Sequence, residues 1–249
     1  MEIVIVLLIL ISLGITIGII IAIVFGSKSS KTKSQHTSSI SSYSNSRDIF
    51  ERKPKWKIFE DITKLHLKDI AKKNNYVFID GGLFKHDNDK LTEIDSILIT
   101  TKAIYIVEIK RYNGSLVGSY NERNVSLIDW SKNLEVINPF FQNDKHIWHF
   151  KKIIKRKTSI YSLIILLNLE SIEMQGLPEN PFVVASIDNV DKELKNFESH
   201  LTDDSNLKEE RLGKIIEMIN IARTNDPMDK ARFQQIISKN DEKANLPIF

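Results

Sequence analysis

The stretch "TEIDSILITTKAIYIVEIKRYNG", residues 92–114, decides how this chain reads. It has the look of two apolar strands joined by a turn, yet Asp95, Glu108 and Lys110 interrupt runs that a sheet would fill with isoleucine. With the turn centred between Thr101 and Lys102, Thr100 faces Ala103; counting outward along an antiparallel hairpin, Asp95 faces Glu108. Directly opposed residues place their Cβ atoms roughly 4.5–5.5 Å apart. Lys110 follows Glu108 by two, so the period of a strand puts it on the same face. Two opposed carboxylates repel each other. A salt bridge from Lys110 would relieve one of them. A divalent cation would relieve both, because Mg²⁺ takes one or two carboxylates and completes its shell with water and phosphate oxygens. On the residues alone, a buried ion-pair network and a metal–phosphate site both stand.

The 249 residues suit one domain of ordinary size with appendages. Charged residues make up 27%, the globular norm, so the bulk of the chain has the composition to fold. A net charge of +3 is too mild to demand a nucleic-acid partner. The chain has no cysteine, which excludes disulfides, thiolate metal sites and cysteine nucleophiles together.

Residues 3–25, "IVIVLLILISLGITIGIIIAIVF", carry no charge, and as a helix they are long enough to cross a hydrocarbon core of roughly 30 Å. Only Met1 and Glu2 precede the run, and neither a basic leader nor an A-x-A site accompanies it, so a retained anchor is expected rather than a cleaved signal. Lys28, Lys31 and Lys33 lie just beyond it, which orients the rest of the chain to the cytoplasm. Gly14 and Gly18 form a G-x-x-x-G pair through which two such helices would pack as a homodimer. Residues 27–48 are serine-rich with scattered lysines and read as a flexible linker. The expected organisation is therefore an anchor over 1–26, a linker over 27–48, a folded domain over 49–190 and a helical extension over 191–249.

Within the folded part, "KWKIFEDITKLHLKDIAKKNNY" predicts an amphipathic helix that stops at Asn74–Asn75. "YVFID" predicts a short strand ended by a turn at Gly81–Gly82, and the hairpin follows. Residues 114–120 read as a separate third strand. At "NPFFQN", Asn138 suits the N-cap and Pro139 the first position of a helix. "YSLIILLNL" and "PFVVAS" read as strands covered on both faces, and three helical patterns follow. The sum is an α/β fold, one mixed sheet flanked by helices.

The Asp-x12-Glu-x-Lys pattern on a hairpin preceded by a helix resembles the PD-(D/E)xK nuclease superfamily. "EIDSILIT", "AIYIVEIKRYNGSLVG" and "NPFFQN", in that order, narrow the resemblance to its nuclease-related domain (NERD) family, over roughly Trp56 to Ser186. The resemblance implies a restriction-endonuclease-like core and Mg²⁺- or Mn²⁺-dependent hydrolysis of phosphodiester bonds, with DNA favoured over RNA. It implies Asp95 and Glu108 as metal ligands, with the backbone carbonyl of Ile109 as a third. Lys110 would position the attacking water, Gln142 would face the substrate or the lysine, and Glu60 would supply the acid of the first helix. The alternative from another class is a module that binds nucleic acid or protein on the same fold without cutting.

Other residues invite plainer readings. His146 and His149 lack companions for a metal site, so one is expected to pack and the other to meet solvent or phosphate. The basic run from His149 to Lys157 would serve equally as a phosphate contact or a solvated helix face. Trp130 and Trp148 are expected in the core, with base stacking as the rival role.

Overall fold

Helix α1 (Lys55–Asn74) buries Phe59, Thr63, Leu67, Ile70 and Ala71, the three-and-four spacing of one helical face. It ends as expected: Asn75 adopts the left-handed conformation (φ 56°) and its N–H closes on the Ala71 carbonyl. The computed structural model describes residues 54–155, 158–202 and 209–244, all within one unit, Arg52–Phe249. The expected anchor and linker, including Gly14 and Gly18, lie outside these residues. Among the described residues, no helix is long and apolar enough to cross a membrane.

An antiparallel meander follows: β1 (Val77–His86), β2 (Lys90–Ile99) and β3 (Ile104–Ser119). The hairpin register is the one spacing predicts, with Ser96 opposite Val107 and Ile99 opposite Ile104. Two expectations fail here. β1 does not stop at Gly81–Gly82; it continues to a turn at Asp87, Asn88 and Asp89, all at positive φ. Gly81 serves close packing instead of turning, since a Cβ there would meet the Asp95 carbonyl oxygen at 1.9 Å. Nor is the segment from Gly114 a separate strand. β3 runs unbroken for 16 residues, because β6 (Ile160–Gln175) pairs with it in parallel along its whole length, with a register shift absorbed at Gly114.

The hairpin of β4 (Asn124–Ile128) and β5 (Asn133–Ile137) had no clear sequence signal, because its strands are short and β5 is mostly solvent-exposed. It pairs with the far half of β3 through Ser115–Val117. Trp130 stands 94% exposed at its tip and Trp148 is 50% exposed, so neither joins the core as composition suggested. Helix α2 (Pro139–Ile154) is capped as expected: Asn138 accepts from the Phe140 N–H, and Pro139 opens the helix. β7 (Phe182–Ala185) adds to β6 in parallel, and α3 (Val190–Ser199), α4 (Glu209–Ala222), the short β8 (Arg223–Thr224) and α5 (Pro227–Ala244) complete the chain. The result is an α/β fold with a mixed eight-stranded sheet.

Alternation along β3 sorts the two cores. Tyr105, Val107 and Ile109 pack with α1 and α3, while Ile104 and Ile106 pack with α2 and α4. Glu108 continues the second series, so it points to the face that α2 covers.

Candidate active site at a fork in the sheet

β2 and β4 both pair with the same edge of β3, β2 through Ile104–Val107 and β4 through Ser115–Val117. Between them the strands part, and Asp95 and Glu108 occupy the first step beyond the last paired residues. In this gap the N–H of Ile109 has no strand partner on that side and instead donates to Asp95 Oδ2 at 2.9 Å. A strand residue presents its N–H and C=O to the same edge, so the Ile109 carbonyl faces the fork as well.

Glu108 is 1% exposed, and neither carboxylate oxygen receives a hydrogen bond of good geometry among the described residues. Lys110 Nζ nevertheless lies 2.6 Å from Oε1, and His146 Nε2 lies 3.5 Å from Oε2. Burial, and then the charge of Asp95, push the Glu108 carboxyl up to about 8 despite the lysine. Asp95 is also raised, chiefly by burial, with the Ile109 hydrogen bond opposing. Burial works against the Lys110 ammonium, but Glu108 and Asp95 together hold its pKa above the ordinary lysine value. Two buried carboxylates therefore share one lysine, and the raised Glu108 carboxyl holds its proton at neutral pH.

Glu60 also opposes ionisation there, since its charge acts on both Asp95 and Glu108. Its own carboxylate is taken up by Lys57 at 2.9 Å and Lys64 at 2.5 Å on the same helix. Gln142 reaches the site from the first turn of α2 and lines the cleft beside Asp95. Its nearest polar neighbour is His146, at 3.4 Å, rather than Lys110. Its buried Oε1 has no partner among the described residues.

Asp95, Glu108, Ile109 and Lys110 thus meet at the fork, and Gln142 lines the cleft on the Asp95 side. Spacing missed what surrounds them. His146, one turn after Gln142, bridges Glu108 and Thr92, whose hydroxyl lies 3.3 Å from His146 Nδ1 and 3.1 Å from His149 Nδ1. Burial lowers these histidines to about 3 and about 4, so both rings are neutral at physiological pH. The available signal was that i+4 step on the Gln142 helix. Tyr112 and Glu93 also join the electrostatics of the site.

Could these residues hold a cation? Among the described residues, no group of three or more His, Asp or Glu side chains converges as a metal cage. Two carboxylates that one lysine cannot keep ionised together, and the Ile109 carbonyl, fit a hard, water-rich cation such as Mg²⁺, which needs no all-protein cage.

Residues 55–167 match the nuclease-related domain family. The chain carries a nuclease-related domain. It is 30% identical over 112 residues to the uncharacterized protein pXO1-01 of Bacillus anthracis, a stretch covering 44% of this chain and 52% of that protein. The chain thus spans about half the length of the curated relative it matches. The small subunit of the heterodimeric restriction endonuclease R.BspD6I is similar at 14% identity, over 78% of this chain and 95% of that one. Its TM-score of 0.28 is too low to carry weight for fold or function. The nuclease-related domain ends within β6, so α3, α4 and α5 lie beyond the matched segment.

Proposed function

We propose that this domain is a divalent-metal-dependent nuclease that hydrolyses DNA phosphodiester bonds at the β2–β3 fork. The observation that carries the reading is the meeting of Asp95, Glu108 and Lys110 in a buried pocket where a single lysine serves two carboxylates. Asp95, Glu108 and the Ile109 carbonyl would hold Mg²⁺ or Mn²⁺. The ion would supply Lewis-acid polarisation of the phosphoryl oxygen and a more acidic water. Asp95 is oriented for this by the Ile109 N–H. Lys110 holds its ammonium between Glu108 and the fork, where it would orient the attacking water and stabilise charge developing on phosphate. Gln142 presents an unsatisfied amide oxygen beside the cleft, suited to accept a hydrogen bond from a water. Glu60 adds field rather than contact, because Lys57 and Lys64 hold it.

We place the domain, 49–190 with its 191–249 extension, at the cytoplasmic face of a membrane, tethered by residues 3–25 through the 27–48 linker. Protease protection of membrane vesicles tests that topology.

The catalytic test uses the full chain in detergent with DNA and RNA, single- and double-stranded, in Mg²⁺, Mn²⁺ or chelator. Cleavage that needs the cation and disappears in Asp95→Ala and Glu108→Ala is expected. Binding without cation-dependent cutting of any of these substrates would favour the non-catalytic module.

A further inference from the structure

Beside Asp95 the structure holds a cleft of about 400 Å³. One side of it is the site itself, with Thr92, Glu93, Asp95, Gln142, His146 and His149, and the rest of the lining is of two kinds. Arg123 and Lys145 are cations that make no ion pair among the described residues, while Phe141, Phe233, Ile236 and Ile237 form an apolar wall. The Lys145 ammonium sits 4.4 Å from the centre of the Phe141 ring, so charge and aromatic surface meet at one place.

The apolar wall is partly built by a segment outside the nuclease-related match. Phe233, Ile236 and Ile237 belong to α5, and α5 is held at its first turn. Asp229, at 6% exposure, accepts from Thr224 Oγ1 at 2.6 Å and from Lys85 Nζ at 2.8 Å. Arg232 donates to the Asp89 carbonyl, at 2.6 Å, in the β1–β2 turn. These bonds fix α5 beside the hairpin that carries Asp95. Ile236 remains 44% exposed and Ile237 36% exposed, although both line the cleft.

A cleft of this volume lies near the lower end of small-molecule pockets, roughly 300–1,000 Å³. It has room for a base with its sugar, not for a base pair with both backbones. Apolar and aromatic surface receives an unstacked base, and unpaired cations receive its phosphates. A paired base offers that wall nothing, since its faces are already stacked within the duplex.

We propose that the cleft takes nucleic acid as a single strand: a base against Phe141, Phe233 and Ile236, phosphates on Arg123 and Lys145, and the scissile bond towards Asp95. This rests on the nuclease reading and narrows its substrate class. Duplexes would enter only where their strands have separated.

Fluorescence anisotropy on the full chain in detergent tests this apart from chemistry, using Glu108→Gln in chelator. The probes are a labelled mixed-sequence DNA oligonucleotide and its blunt duplex. The single strand is expected to bind about tenfold or more tightly than the duplex, a stacking-sized difference. Ile236→Asp should erase most of that preference, whereas Ile221→Asp, the same charge change at a 77% exposed residue that does not line this cleft, should leave it. Equal or tighter binding of duplex, binding of neither probe, or equal effects of the two substitutions overturns the proposal. Cation-dependent cutting of duplex without single-strand preference refutes it and leaves the nuclease reading standing. Single-strand binding that is lost in Ile236→Asp, with no cutting by the unsubstituted chain, refutes the nuclease reading alone.

Discussion

The backbone N–H of Ile109 donates to Asp95 Oδ2 at 2.9 Å, which ties the first acid of the site to the residue following the second. The bond exists because β2 leaves β3 after the Ser96–Val107 pair. A backbone donor that would be orphaned at the fork is satisfied by a carboxylate, and that carboxylate is thereby held where its charge acts on Glu108. The geometry of the candidate site and the backbone accounting are met by one contact.

Burial and the charge of Asp95 oppose ionisation of Glu108, so above pH 8, where the carboxyl must ionise, Glu108→Gln should stabilise the cation-free protein while abolishing cation binding. Thermal unfolding in chelator is expected to shift upward. Titration with Mn²⁺ should then show no further shift, whereas the unsubstituted chain gains stability with the cation by mass action. An upward shift with Mn²⁺ that survives Glu108→Gln would show that the ion binds elsewhere.

The pH dependence follows in sign from the same residue. The folded-state pKa of Glu108, about 8, lies above its ordinary value of 4.5, so between these the native state binds the extra proton. Its contribution to stability is full below pH 4.5 and is lost as pH rises through about 8. Cation binding must displace that proton, so affinity should climb with pH, about tenfold per unit at most, and level off above 8. Calorimetric titrations with Mn²⁺ across this range check it; affinity that is flat with pH contradicts a cation on Glu108.

His146 stands 3.5 Å from Glu108 and 3.3 Å from Thr92, and its neutral ring positions the carboxylate rather than balancing its charge. His146→Ala should weaken cation affinity and turnover about 10–100-fold, the usual cost of losing a group that orients a ligand. Thr92→Val should do so more mildly, because it removes only the hydroxyl that fixes the ring. Unchanged Mn²⁺ affinity in His146→Ala would limit the ring to packing.

Gly81→Ala should be among the most damaging single-methyl additions in the sheet. Its Cβ would meet the Asp95 carbonyl oxygen at 1.9 Å and the Ile94 carbonyl oxygen at 2.1 Å, and both are backbone atoms. Relieving that overlap means parting β1 from β2, at a cost of about 3 kcal/mol or more. Urea unfolding measures the loss. A change below about 1 kcal/mol would mean that the strands part easily.

Asn138→Ala removes an N-cap and more. The side chain accepts from Phe140 N–H and donates to the carbonyls of Ser119, Tyr120 and Glu122, binding the start of α2 to the end of β3. A cap alone is worth about 1 kcal/mol, and stranded carbonyls cost about 1–3 kcal/mol more. The same unfolding assay should show a loss in that combined range, with Gln142 and His146 displaced and any cutting activity reduced.

The sequence by itself determined the features set by local periodicity. Spacing over residues 92–110 set the hairpin register, with Ser96 opposite Val107 and Ile99 opposite Ile104, and put Lys110 beside Glu108. Asn138 and Pro139 announced α2, and hence Gln142, because capping depends on neighbours along the chain. Only the tertiary structure decided what depends on strands far apart in sequence. The parallel partner β6 makes β3 continuous past Gly114, and Gly81 proves to be a contact with β2 rather than a turn. The fork that aims Asp95, the approach of His146 to Glu108, and the α5 wall across the cleft follow the same rule. A strand's spacing records which way a side chain points; which helix or strand closes over it is settled by packing, and no local pattern encodes that.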